Sequence, residues 1–172
     1  PWTQTTMSSW ATSPPQILAN KQFYLSNDKT FDALYSNPKA PMRTAEELVD
    51  SMDSTGVDIS VVVNIGWSNH TFCVETNNYL LDSVAKYTDR LIAFCGVNPG
   101  VGYRALREIE RCANLGAMGI GELHPDSQGY DLTDKKVLSP VMKAAEQHNM
   151  VVLTHSSEPV GHLYPGKGNV RR

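Results

Sequence analysis

The chain has 172 residues, 41% of them apolar, which suits one domain with a core of its own. Charged residues make up 19% and the formal net charge is -3, so nothing in the balance points to nucleic acid or an anionic membrane as partner. No apolar run approaches the ~20 residues needed to span a bilayer, and Cys73, Cys95 and Cys112, odd in number and without CxxC spacing, read as free core thiols of a reducing, cytoplasmic compartment.

Residues 1–43 are rich in Ser, Thr, Pro and Asn, with Trp2, Trp10, Phe23, Tyr24, Phe31 and Tyr35 scattered among them. This stretch is expected to be an irregular, partly helical N-terminal excursion whose aromatics pack against a body formed by residues 44–172. Regular structure is expected from "TAEELVDSMDSTG". Thr44 and Glu47 have capping-box spacing, Ala45, Leu48, Val49 and Met52 make one apolar helical face, and Gly56 is a natural C-cap. "ISVVVNI" (59–65) then reads as a buried strand.

The pattern recurs along the chain. Ser68 or Asn69 can cap a helix that carries Leu80, Leu81, Val84 and Tyr87 inward, and "LIAFCGV" (91–97) is the next strand. Ala105, Leu106, Ile109, Cys112 and Ala113 mark a third helix, ended by Gly116 before the strand "AMGIGEL" (117–123). Val137, Leu138, Val141, Met142 and Ala145 mark a fourth, followed by "MVVLTH" (150–155), whose Val151-Val152-Leu153 run has the character of a strand buried on both faces. Four successive αβ units predict a parallel sheet, open or closed into a barrel. The turns "GWSNH" and "NPGVG" carry neither GxGxxG nor GxxxxGK[ST], which favours the barrel over a nucleotide-binding sheet.

In such a barrel the chemistry sits at the C-terminal strand ends. Those ends bring Asn64, Gly66 and Trp67, then Asn98, then Glu122 and His124, then His155 and Ser156. Imidazole and carboxylate are the donors that zinc and similar ions take. Each residue also has an ordinary reading. His155 can be a hydrogen-bonded strand-end histidine, Glu122 can pair with a Lys or Arg, and His124 in "LHPD" can hold a turn. His70 reads as a surface residue at a helix start, and His148 as a last-turn residue that suits the helix dipole. His162 and Lys167 in "GHLYPGKG" can bind an anionic group or belong to a plain loop.

At "GAMGIGELHPDSQGYDLTD" and "VVLTHSSEPVGHLYPGKG" the chain resembles the amidohydrolase-related family of metal-dependent (β/α)8 barrels, which includes hydrolases and the aminocarboxymuconate-semialdehyde and resorcylate decarboxylases. The likeness covers roughly residues 44–168 and implies a TIM barrel of which strands two to five are present. It implies that His155, at the strand-five position, ligates a divalent metal, zinc or else manganese. Gly121-Glu122 matches the glutamate that bridges two metals in related TatD-type nucleases, and His124, His162 and Lys167 are the expected substrate contacts.

The departures are equally specific. The family's strand-one His-x-His, its strand-six histidine and its strand-eight aspartate have no counterpart here, and a barrel needs ~250 residues. Both ends are therefore expected to be cuts within a longer chain. The piece alone is expected to be inactive and, with open sheet edges, prone to self-association or a homo-oligomeric state. The implied function is that of a metal-dependent hydrolase or decarboxylase acting on a small, carboxylated molecule. The alternatives are a TatD-like phosphoesterase and a non-catalytic, barrel-derived interaction protein.

Overall fold

A computed structural model describes residues 13–39 and 42–155. Three short helices come first: α1 (Pro15–Ala19), α2 (Lys21–Asn27) and α3 (Lys29–Tyr35). The next helix, α4 (Ala45–Thr55), starts where the sequence sets a capping box. Thr44 Oγ1 accepts from the Glu47 amide at 3.3 Å and Glu47 Oε2 accepts from the Thr44 amide at 2.8 Å. Gly56, at φ 72°, closes it in the left-handed conformation.

Strands and helices then alternate: β1 (Ser60–Val63), α5 (His70–Lys86), β2 (Leu91–Cys95), α6 (Tyr103–Asn114), β3 (Gly119–Leu123), α7 (Pro125–Gln128), α8 (Lys135–Gln147) and β4 (Val151–Thr154). Asn69 caps α5 by accepting from the Thr71 amide, and Asp134 caps α8 by accepting from Lys136 and Val137. The sheet order is β1-β2-β3-β4 and every pair is parallel, with Ser60 opposite Leu91, Phe94 opposite Gly119, and Gly119 opposite Val151. The thirty-residue αβ repeat thus becomes a row of sequential parallel strands, with the helices connecting them.

Two apolar clusters fix the helices on the sheet. Ala45, Leu48, Val49 and Met52 of α4 pack with Val62, Leu80 and Leu91. Ala93, Cys95, Ile120 and Leu123 pack with Ala105, Ile109 and Cys112 of α6 and Val141 and Ala145 of α8. All three cysteines are free and buried. A third cluster joins the N-terminal helices to the β1 end: Ile17, Tyr24 and Phe31 pack with Ile65, Trp67 and Phe72. Phe31 stacks on Trp67 at 5.0 Å between centroids, and Asp28 Oδ2 accepts from Ser68 Oγ and the Asn69 amide.

One expectation is corrected. β4 is not buried on both faces: Val151 is 57% exposed, and Val152, Leu153 and Thr154 are half-buried. Its apolar residues promise a buried strand, but among the described residues only β3 lies beside it. Val151 therefore has no covering layer there. No described helix is long and apolar enough to cross a membrane.

Candidate metal centre

The geometry of the site begins with a break in the β3–β4 ladder. The register runs Gly119 to Val151 and Ile120 to Val152, then shifts so that Leu123 faces Thr154. Gly121 sits at the shift with φ 129°, where a side chain would run into the Leu153 carbonyl. The extra length carries the end of β3 toward β1, and the Glu122 amide donates to the Asn64 carbonyl at 2.8 Å. Gly66 makes this approach possible: a Cβ there would lie 2.6 Å from the Glu122 carbonyl and 2.9 Å from His124 Cδ2.

Glu122, His124 and His155 converge at this point. One ligand-type atom from each lies within 4.8 Å of the others. His155 Nδ1 is 3.0 Å from Glu122 Oε1, and the His155 amide donates to the Leu123 carbonyl at 2.7 Å. The His124 and His155 rings stack, with centroids 4.5 Å apart and planes at 15°. His124 Nε2 is 3.4 Å from Glu122 Oε2, near but not aligned as a hydrogen bond. That buried nitrogen has no hydrogen-bond partner among the described residues, a costly state for a polar atom unless something else satisfies it.

Burial pushes the Glu122 carboxyl upward, but the His124 and His155 imidazoles outweigh it and hold the group below its ordinary range. Glu122 is therefore a carboxylate at neutral pH, the form that binds a cation. Tyr35, at the end of α3, feels the same charge. Its phenol is pushed up to about 12, first by burial and then by Glu122. It stacks on Phe31 at 5.0 Å, so the N-terminal helices place an aromatic hydroxyl group in the electrostatic reach of the cluster.

Beneath the cluster lies a dense polar network. Asn64 Nδ2 donates to Thr76 Oγ1 and Asn77 Oδ1, while Asn64 Oδ1 accepts from the Ile65 amide and Trp67 Nε1. Asn77, fully buried, donates to the Gly96 carbonyl and Glu108 Oε1 and accepts from the Gly96 amide. Glu108 in turn holds Arg111 through two contacts of 2.7 and 2.8 Å.

A carboxylate and two imidazoles, one with a buried nitrogen that lacks a hydrogen-bond partner among the described residues, make a donor set that fits a divalent ion such as zinc or manganese. Of the residues expected at the site, the structure brings Glu122, His124 and His155 together, while His162 and Lys167 lie outside the described residues. His70, expected on the surface, is half-buried, with Nδ1 enclosed and lacking a hydrogen-bond partner among the described residues. Tyr35 is an addition of the fold. The sequence signal that groups His124 with Glu122 is their spacing of two, which on an extended chain sends both side chains to one face. Nothing in the sequence marks Tyr35, whose role depends on where the helices settle.

The fold is that of known barrels. A 5-carboxyvanillate decarboxylase from Novosphingobium aromaticivorans, solved with manganese and 3-methoxy-4-hydroxy-5-nitrobenzoic acid, superposes with TM-score 0.71 at 23% identity over 87% of this chain and 50% of its own. The Sphingomonas paucimobilis 5-carboxyvanillate decarboxylase gives 0.62 at 20% identity over 89% and 51%. The 2,6-dihydroxybenzoate decarboxylase from Rhizobium gives 0.57 at 18% identity over 88% and 49%. The chain thus spans about half the length of these structures, consistent with four of the eight αβ units of a TIM barrel. A search of curated proteins finds no match. The amidohydrolase family profile Amidohydro_2 matches residues 10–169, nearly the whole sequence, and the chain belongs to the amidohydrolase family.

Proposed function

We propose that Glu122, His124 and His155 hold a divalent metal, zinc or manganese, in an enzyme that hydrolyses or decarboxylates a small carboxylated molecule. The observation that carries this reading is the convergence of the three donor atoms, with His124 Nε2 buried and lacking a hydrogen-bond partner among the described residues. The decarboxylases of similar fold are named for aromatic carboxylates, and one was solved with manganese, which favours a carboxylated substrate.

When bound, the ion supplies Lewis acidity or an activated water. The chain's own residues prepare the place. Glu122 stays ionised because the two imidazoles beside it stabilise its charge. Stacking of the His124 and His155 rings limits their rotation and aims their nitrogens at the same volume. Phe31 and Trp67, both fully buried, form an aromatic stack that backs the ring of Tyr35 and fixes its place. Tyr35, neutral at working pH, can donate a hydrogen bond to a substrate carboxylate. His162 and Lys167 are proposed as further contacts for that carboxylate.

Elemental analysis of the intact protein and its His155→Ala and Glu122→Gln variants tests the reading. Stoichiometric metal is expected in the wild type, and loss of metal and turnover in both variants. Full metal content and near-normal rates in both would overturn it.

A further inference from the structure

The three donor residues are not anchored alike. Glu122 and His155 have their amides fixed by main-chain carbonyls, Asn64 at 2.8 Å and Leu123 at 2.7 Å. The His124 amide donates instead to a side chain, Gln128 Oε1, at 2.9 Å. The same Gln128 amide group donates through Nε2 to the Trp67 carbonyl at 3.0 Å and the Val97 carbonyl at 2.9 Å. One buried side chain, 7% exposed, therefore ties together the chain just beyond the ends of β1, β2 and β3.

Only glutamine meets these demands. The His124 amide needs an acceptor, while the Trp67 and Val97 carbonyls need donors; the primary amide supplies one oxygen and two N–H groups in the required places. Glutamate would set an oxygen against two carbonyls, and asparagine is one methylene short. A return bond from the Gln128 backbone amide to the His124 carbonyl, 2.9 Å, closes a compact loop around the histidine.

We infer that Gln128 is a positioning residue of the metal centre, holding His124 over Glu122 and His155 by locking its main chain to the neighbouring strand ends. The inference rests on the metal reading above. Because Glu122 and His155 have anchors of their own, loss of the Gln128 side chain should free His124 alone. Supporting residues of this kind commonly change metal affinity ~10–100-fold.

The test compares Gln128→Met in the intact protein with Val141→Ala, a core truncation in α8 at a residue that is neither a donor nor an anchor of one. Manganese affinity is measured by calorimetric titration, and coordination by the visible spectrum of the cobalt-loaded protein. Gln128→Met should weaken manganese binding about tenfold or more and alter the cobalt spectrum, with its circular dichroism retained. Val141→Ala should lower the melting temperature and leave both metal readouts unchanged. Should Gln128→Met not fold, Gln128→Asn, which keeps the amide but shortens its reach, is expected to give the same result. Equal affinity and spectrum in the Gln128 and Val141 variants would overturn the inference while leaving the metal reading intact. A wild-type protein that takes up neither manganese nor zinc would overturn both.

Discussion

A single hydrogen atom at Gly66 decides whether the end of β3 can reach β1. A methyl group there would meet the Glu122 carbonyl at 2.6 Å and the His124 ring at 2.9 Å, and the first of these is main chain that cannot simply swing aside. Gly66→Ala should therefore cost about 1–3 kcal/mol, in the range of overpacking a tight contact, and should lower bound metal as well. Urea unfolding and metal analysis on the same preparation check this. Wild-type stability together with wild-type metal content would show that the approach of Glu122 and His124 is not tight. Glu122 and His155 were legible as strand-end residues because the apolar runs before them mark where strands stop. Gln128 was not legible, since its partners lie 31 and 61 positions away in sequence and meet it only once the strands are aligned.

Between elements, the strongest polar link runs from β2 through α5 to α6: the Gly96 main chain, Asn77 and Glu108 with Arg111. Burial pushes the Glu108 carboxyl up, but Arg111 and Asn77 outweigh it and hold it below its reference value of 4.5. A carboxyl lowered in the folded state contributes stability that is complete above its unfolded value and is lost as pH falls through the folded value. Glu108→Gln should thus be clearly destabilised at pH 7, with its deficit narrowing as the pH drops below 4.5 toward the lowered folded value. Chemical denaturation across that window reads the difference directly; a pH-independent deficit would contradict the account. The helices and strands themselves were readable from period and caps: Thr44, Gly56, Asn69 and the apolar stripes place α4 and α5 within a residue or two. The exposure of β4 was not, because a buried-looking run such as Val151-Val152-Leu153 does not say which neighbour covers it.

At the scale of the molecule, parallel strands gather one end of each β-strand at a common mouth, and the N-terminal helices lean over it through Phe31, Trp67 and the Thr30–Ser127 hydroxyl contact of 2.6 Å. The order and direction of the strands followed from the αβ repeat, and the resemblance to the amidohydrolase family carried by "GAMGIGELHPDSQGYDLTD" and "VVLTHSSEPVGHLYPGKG" is borne out by the family profile. The joining of three donors into one cluster required the shifted ladder at Gly121. The central claim is that this cluster is a metal centre. Anomalous diffraction from crystals of the intact protein grown with manganese, collected on either side of the manganese absorption edge, tests it most directly. The account predicts one strong peak bonded to Glu122, His124 and His155. A peak elsewhere, with the 3.0 Å contact between Glu122 and His155 still in place, would contradict it.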